Sequence, residues 1–189
     1  MNKYFRLKRS ITWQRFINGL TFSRILLGLP IIFALGNSNK DIFIFLIVIG
    51  GLTDFLDGYL ARKYDYQSTL GAKLDPLADK ILLLGPMLWL AVEKLVPIWA
   101  VWLIISRELL ITSWRSSKST GGPASIQGKF KTTLQFSSVI LLFWPHNWGS
   151  IYTVNLFNQI GYVSFWISLF LSYSSAIRYL FNQKETHQS

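Results

Sequence analysis

The chain has 189 residues, 51% of them hydrophobic and 15% charged, with a mean hydropathy of +0.33 and a formal net charge of +10. This composition is too apolar for a soluble domain and predicts an all-α integral membrane protein, a helix bundle in lipid. The sequence contains no cysteine, which excludes a disulfide framework and thiol chemistry.

Residues 1–16 form the first predicted element. Basic residues alternate there with aromatic and aliphatic ones, a pattern typical of an amphipathic helix that lies in the membrane interface. A signal peptide also begins with basic residues, but no small-residue cleavage site follows at a suitable place. We expect the membrane domain to occupy 17–181 and a polar tail to occupy 182–189.

Six apolar segments follow, and each predicts a transmembrane helix. A full span needs about 20 residues, and several segments are shorter because polar residues interrupt their ends. These interruptions recur at one depth, which indicates a polar cavity inside the bundle. The fifth segment reaches full length only if its helix begins before Gly128. The predicted spans are roughly 20–35, 41–61, 77–92, 97–114, 132–144 and 155–181.

The basic residues indicate which side of the membrane each loop occupies. With six spans, both termini and two long loops share one side, and all but two of the 19 Lys and Arg residues, Lys40 and Lys94, lie there. The positive-inside rule places that side, and with it the four aspartates described below, in the cytoplasm. Because the basic residues segregate by membrane side, we expect contacts with lipid and no nucleic-acid partner. The long loops are 62–76 and 115–131, and the short turns opposite are 36–41, 93–97 and 145–154.

Four aspartates stand inside or beside the apolar runs of the second and third segments. Asp54 and Asp57 are three residues apart and Asp75 and Asp79 are four apart, so each pair shares one face of a helix. If those faces are opposed, the four carboxylates repel one another and lose hydration at high cost. Two divalent cations, Mg²⁺ or Mn²⁺, would cancel about four negative charges, so we predict a two-metal site with these four ligands. The alternative is that the carboxylates pair with Arg and Lys.

The aspartates belong to a longer pattern, D-x2-D-G-x2-A-R-x8-G-x3-D-x3-D, which is met at every fixed position. This pattern resembles that of the CDP-alcohol phosphotransferase family of membrane enzymes. The resemblance implies a six-helix membrane fold, often a homodimer, and two divalent metals. It also implies transfer of a phosphatidyl or related group from a CDP-linked donor to an alcohol, with Asp79 as general base as well as metal ligand.

Residues around the aspartates are predicted to bind the CDP-lipid donor. Gly58 and Gly71 allow the backbone to approach the nucleotide closely, and Arg62 can form charge-assisted hydrogen bonds with a phosphate. The alternatives are small-residue helix packing for the glycines and a cytoplasmic anchor for Arg62. Ser68 matches a family position near the nucleotide, and Thr21 is assigned to the same region. The predicted donor-binding residues are Thr21, Gly58, Ala61, Arg62, Ser68 and Gly71.

Three further stretches resemble the phosphatidylglycerophosphate synthase branch of this family: N-x-x-T-x-x-R at 18–24, S-R-E-L at 106–109 and G-K-x-K-T-x-x-Q at 128–135. This branch implies CDP-diacylglycerol as donor and sn-glycerol 3-phosphate as acceptor. Arg107 lies in an apolar run and needs a carboxylate or a phosphate as partner. A phosphate-bearing acceptor would explain why cations continue into the membrane. The predicted acceptor-binding residues are Arg107, Arg115, Lys129 and Lys131.

Other functions remain open at this point. Within the family, the acceptor could instead be that of a CDP-dependent cardiolipin synthase, which uses phosphatidylglycerol, or of a phosphatidylinositol-phosphate synthase. From a different class, a divalent-cation transporter could line its path with carboxylates. A transporter would leave Arg62, the motif glycines and the second group of cations unexplained.

Overall fold

The computed structural model describes residue 19 and residues 22–64, 69–117 and 126–185. Within these ranges the regular structure is helical and contains no strand, which confirms the all-α class. The predicted interfacial segment 1–16 and residues 186–189 of the predicted tail lie outside the described residues. The helices are α1 (Phe22–Gly36), α2 (Lys40–Tyr64), α3 (Thr69–Val92), α4 (Ile98–Ser117), α5 (Ile126–Leu142) and α6 (Ile151–Glu185), with a 3₁₀ turn at His146–Trp148.

The turn between α1 and α2 is fixed by local hydrogen bonds. Ser38 has a left-handed φ of 54°, and the amide of Asn39 donates to the carbonyl of Ala34 at 2.9 Å. This arrangement closes the C-terminus of α1, with serine where glycine is usual. Asn39 Oδ1 accepts a hydrogen bond from the amide of Ile42 at 3.2 Å and thereby caps the start of α2.

The turn between α3 and α4 repeats this geometry. Lys94 has a φ of 59°, and the amide of Leu95 donates to the carbonyl of Leu90 at 2.9 Å. Pro97, which cannot donate a backbone hydrogen bond, stands directly before α4. Both turns fall where the sequence predicts short connections.

The chain divides into two compact units, and the first is Met1–Pro86. Its helices approach one another at glycines. A Cβ built on Gly50 of α2 would lie 2.7 Å from Leu82 Cδ2 of α3, and one on Gly85 of α3 would lie 2.7 Å from Ile32 Cδ1 of α1. Small residues permit such close approach, on which helix packing in lipid depends.

The second unit is Met87–Ser189, in which α5 packs along α6 and α4 also contacts α6. A Cβ on Gly161 of α6 would lie 2.9 Å from Leu141 Cβ and 3.1 Å from the backbone nitrogen of Leu142. The α5 and α6 backbones are therefore very close at this point. Among the described side chains of this unit, the buried polar ones are Arg107, Lys131, Gln135, Ser138, Ser168 and Ser172.

Large apolar side chains are exposed on all of the described helices. Soluble monomers do not expose apolar surface on this scale, whereas a lipid-facing surface does. By length and composition, one described segment, Ile151–Ile177 of α6, is suited to cross a membrane, and 22% of its most apolar window is buried. The other five predicted spans stay predictions. Examples of the exposed side chains, one from each helix, are Phe33, Phe45, Leu88, Leu110, Phe130 and Phe170.

Five helices extend at least three residues beyond the spans predicted from hydropathy. The second continues to Tyr64, the third begins at Thr69, and the fifth begins at Ile126, before Gly128. The fourth ends at Ser117, and the sixth runs from Ile151 to Glu185, into the predicted polar tail. A span predicted from hydropathy ends where charged residues appear. The helix itself continues for as long as its backbone hydrogen bonds are formed. The earlier start gives α5 17 residues, the lower limit for a full span.

Candidate active site

The four motif aspartates lie on two helices of the first unit. Asp54 and Asp57 belong to the C-terminal half of α2, and Asp75 and Asp79 to the N-terminal half of α3. Only residues 65–68 separate the two helices along the chain. Both pairs are therefore helical, as their spacing predicts, although their side chains are not described.

The contact between Gly50 and Leu82 defines the register of these positions. Asp54 and Asp57 follow Gly50 by four and seven residues, and Asp79 and Asp75 precede Leu82 by three and seven. Spacings of three, four and seven return to one face of an α-helix. The four backbone positions thus lie on the α2 and α3 faces that meet at Gly50 and Leu82, one and two turns from the contact.

This donor set fits divalent cations. Carboxylate oxygens are preferred ligands of Mg²⁺ and Mn²⁺, and the four positions occupy matching levels of two adjacent helices. Among the residues whose side chains are described, no group of three or more His, Cys, Asp or Glu could hold a metal ion. The motif aspartates are not in that set, so their role as ligands stays a prediction.

Five of the six predicted donor-binding positions lie between the two aspartate pairs in the sequence, and Thr21 precedes them. Thr21 and Ser68 lie outside the described residues. At the other four positions the backbone is helical, but the side chains are not described. These four are Gly58, Ala61 and Arg62 on α2 and Gly71 on α3.

A second polar region, here called the Glu108 cluster, lies in the second unit and comprises Arg107, Glu108, Lys131 and Ser172. Glu108 Oε1 accepts a hydrogen bond from Arg107 Nη1 at 3.0 Å and another from Lys131 Nζ of α5. Ser172 Oγ of α6 also donates to this oxygen, at 3.4 Å. One carboxylate therefore connects three helices.

Burial strengthens the electrostatic interactions of this cluster. Arg107 is 7% exposed and Lys131 is 5% exposed. Buried cations are costly unless a carboxylate compensates them, and Glu108 does so for both. Two cations and one carboxylate leave these groups with one net positive charge, which favours the approach of an anion.

The structure shows the contacts of two of the four cations predicted for the acceptor site. Arg107 needs a carboxylate or a phosphate, and in the structure it has the carboxylate of Glu108. Lys131 shares that carboxylate, so the structure brings these two predicted cations together. Arg115 lies eight residues after Arg107 on α4 and Lys129 lies two residues before Lys131 on α5, but their side chains are not described.

The sequence predicts no role for two buried polar residues: Ser172, a member of this cluster, and Gln135, the last position of the G-K-x-K-T-x-x-Q stretch. Ser172 lies four residues after Ser168 in an apolar stretch of α6, and Gln135 lies four residues after Lys131 on α5. Polar residues at helical spacing on an otherwise apolar helix mark one face, and that spacing was the available signal.

The family model described as CDP-alcohol phosphatidyltransferase matches residues 16–174. The chain belongs to the CDP-alcohol phosphatidyltransferase family. The matched range includes the four motif aspartates and the whole Glu108 cluster. Both polar regions therefore belong to the phosphatidyltransferase itself rather than to an added segment.

Named relatives cover most of this phosphatidyltransferase. A Rickettsia felis protein named CDP-diacylglycerol–glycerol-3-phosphate 3-phosphatidyltransferase is 33% identical over 170 residues, which cover 86% of this chain and 91% of the relative. A Haemophilus influenzae protein of the same name is 33% identical over 151 residues, covering 76% and 77%. A Schizosaccharomyces pombe cardiolipin synthase (CMP-forming)/mitochondrial hydrolase fusion protein is 40% identical over 96 residues, 51% of this chain but 16% of that protein.

Proposed function

We propose that this enzyme transfers the phosphatidyl group of CDP-diacylglycerol to sn-glycerol 3-phosphate, giving phosphatidylglycerol phosphate and CMP. The observation that carries the proposal is the similarity, over most of the chain, to relatives named for this reaction. The buried cations of the Glu108 cluster support a phosphate-bearing acceptor.

The four motif aspartates of α2 and α3 would hold two divalent ions, Mg²⁺ or Mn²⁺. When bound, these ions supply positive charge that stabilises the donor pyrophosphate and the leaving phosphate. The register set by Gly50 and Leu82 supports this assignment, because it puts four acidic positions on the meeting faces. The ligands in this proposal are Asp54, Asp57, Asp75 and Asp79.

In the chemical step, the chain itself supplies a general base and orients the attacking hydroxyl toward the donor phosphorus. The 1-hydroxyl oxygen of glycerol 3-phosphate attacks the β-phosphorus of the donor, in line with its bond to CMP. A new phosphorus–oxygen bond forms while the bond to CMP breaks, and CMP leaves with the electron pair. Asp79 takes the proton of the attacking hydroxyl.

In this proposal, the donor contacts both the lipid and the protein. Its acyl chains lie in lipid, and its nucleotide approaches the backbone at Gly58 and Gly71. Arg62 forms charge-assisted hydrogen bonds with a donor phosphate. Thr21, Ala61 and Ser68 complete the donor site.

The phosphate of the acceptor binds to cations of α4 and α5. Arg107 and Lys131 are buried, and Glu108 holds them together. Arg115 and Lys129 extend this group along the same two helices. The acceptor needs such cations because its own phosphate must approach an anionic donor.

The enzyme spans the membrane six times, with both termini and the active site in the cytoplasm. The exposed apolar side chains of all the described helices and the length of Ile151–Ile177 support a membrane location. The distribution of Lys and Arg along the sequence supports the orientation. Residues 1–16 lie in the interface, 17–181 form the membrane domain and 182–189 form the tail. Association as a homodimer completes the proposal, on the basis of family resemblance.

One experiment separates this function from its alternatives. Purified enzyme in detergent receives CDP-diacylglycerol, Mg²⁺ or Mn²⁺, and one acceptor at a time, and CMP release is measured. We expect the highest kcat/KM with glycerol 3-phosphate. Faster release with phosphatidylglycerol would indicate cardiolipin synthesis, and faster release with inositol phosphate a phosphatidylinositol-phosphate synthase. Metal flux in vesicles without CMP release would indicate a transporter.

A further inference from the structure

One face of α5 carries a line of buried polar residues. Lys131 and Gln135 are four residues apart, and Ser138 follows three residues later. All three are buried, and Gln135 is only 2% exposed. The backbone of Gln135 thus lies one helical turn, about 6 Å along the axis, from that of Lys131, on the same face.

The buried serines of this region satisfy their own hydrogen bonds. Ser138 Oγ donates to the carbonyl of Gln135 at 2.8 Å, and Ser168 Oγ donates to the carbonyl of Phe165 at 2.7 Å. Each hydroxyl is therefore paired within its own helix. Their burial needs no ligand to explain it.

The amide group of Gln135 differs from these serines. Its Nε2 is buried and has no hydrogen-bond partner among the described residues. A buried donor without an acceptor destabilises a folded protein, so such groups are rare unless something else binds them. Arg107 Nε, in the Glu108 cluster, is a second buried donor without a partner in the described part of the chain.

Two buried donors in this part of the second unit have no acceptor among the described residues. Glu108 Oε1 already accepts hydrogen bonds from three residues. Arg107 Nε and Gln135 Nε2 still lack acceptors among the residues described. The ligand that fits these two donors is an anion with several acceptor oxygens, and a phosphate monoester has this chemistry.

We propose that Gln135 is a specificity-determining residue whose side-chain amide donates a hydrogen bond to a phosphate oxygen of the acceptor, beside Arg107 and Lys131. This inference rests on the proposed function, because it assumes that the acceptor carries a phosphate. It adds to that function a neutral donor, which selects for a hydrogen-bonding oxygen in addition to negative charge. A phosphate bound there gives both unpartnered donors an acceptor.

Replacing Gln135 with methionine distinguishes this role from a structural one. Methionine has nearly the same length and no donor, so it removes the uncompensated amide without leaving a large cavity. If Gln135 serves only the fold, Gln135→Met should lower the unfolding temperature. If it serves the acceptor, the ligand-free protein should unfold at the same or a higher temperature, because the buried unpaired donor is gone.

The test uses the full-length enzyme in detergent with CDP-diacylglycerol and varied glycerol 3-phosphate. We expect Gln135→Met to raise KM for glycerol 3-phosphate by about 10–150-fold and to leave KM for CDP-diacylglycerol unchanged. The increase in unfolding temperature that glycerol 3-phosphate produces in the unmutated protein should also disappear. The preference for glycerol 3-phosphate over glycerol should fall by a similar factor. Ser168→Ala, at a buried and satisfied site, is the control and should change none of these values.

Two results would overturn the inference. One is a Gln135→Met protein that is misfolded or less stable, which would show a structural role. The other is an unchanged KM for glycerol 3-phosphate in a stable variant, which would contradict the contact while the proposed function stands. An unmutated enzyme that does not use glycerol 3-phosphate would instead refute the proposed function, and this inference with it.

Discussion

The aspartate positions of α2 and α3 and the Glu108 cluster of the second unit differ in how their charges are compensated. The first region combines four acidic positions of one sign. The second combines two buried cations with a carboxylate of the same chain. In our proposal the first is compensated by metal ions from solution, whereas the second is largely compensated by its own residues.

We therefore expect the two regions to depend on their ligands in different ways. A region whose charges are all negative should lose its function when divalent cations are removed. A region that pairs its own charges remains ordered without ligand and keeps a small excess of positive charge for an anion. Changes to the first region should therefore abolish the chemical step, and changes to the second should weaken binding of one substrate.

The largest expected effect comes from removing the metals or a ligand. Chelation of divalent cations should abolish CMP release, because their charge stabilises the reacting phosphates. Asp54→Asn, Asp57→Asn and Asp75→Asn should each reduce turnover below detection while the protein still inserts and folds. Asp41→Asn makes the same change on α2 outside the motif, and its rate should stay within about fivefold of the unmutated rate. Full activity in chelator would refute the two-metal proposal.

The next largest effect is expected from replacing Asp79, the proposed general base. Asp79→Asn removes both a metal ligand and the proposed proton acceptor. Loss of a general base alone costs about 10²–10⁴-fold, so the combined loss in kcat should be larger. Binding of CDP-diacylglycerol should remain measurable in a direct binding assay, because other residues contact the donor. A near-normal rate would mean that a different group accepts the proton.

The two regions also differ in how far the sequence predicts them. The aspartates follow fixed spacings within 26 residues, and helical geometry alone relates such positions. The Glu108 cluster joins residues separated by 23 and 64 positions, which only the packing of α4, α5 and α6 brings together. The sequence could show that Arg107 needs a partner, but it left open whether that partner is a carboxylate or a phosphate.

The helix limits also differ in how well the sequence predicts them. The all-α class follows from composition, and the short turns at Ser38 and Lys94 fall where expected. The spans predicted for α2, α3 and α5 were shorter than the helices, because hydropathy measures lipid exposure rather than backbone hydrogen bonding. Hydropathy alone therefore omits the charged ends of these helices.

A change in the second region should affect one substrate selectively. Lys129→Gln removes a cation proposed to contact the acceptor phosphate, and loss of one charge-assisted contact should raise KM for glycerol 3-phosphate by about 10–150-fold. KM for CDP-diacylglycerol should change little in the same steady-state assay. Lys94→Gln is the matched control, because Lys94 is exposed in the turn before α4. An equal rise in both KM values would argue against a dedicated acceptor site.

The smallest expected effect concerns the packing of the helices that carry each region. A Cβ on Gly161 would lie 2.9 Å from Leu141 Cβ and 3.1 Å from the backbone of Leu142, so α5 and α6 must separate to admit it. Gly161→Ala should therefore cost about 1–3 kcal/mol and lower the unfolding temperature by several degrees.

Gly28 of the first unit provides the comparison for that variant. A Cβ there would lie 3.6 Å from Ile81 Cγ2, an ordinary contact, so Gly28→Ala should leave stability unchanged or raise it through helix propensity, by up to about 1 kcal/mol. Since α5 and α6 carry Lys131 and Ser172, Gly161→Ala should also raise KM for glycerol 3-phosphate, by severalfold, whereas Gly28→Ala should not. Thermal unfolding in detergent and steady-state kinetics measure both effects. Equal destabilisation by the two substitutions would contradict the close approach of α5 and α6 as the cause of the stability loss.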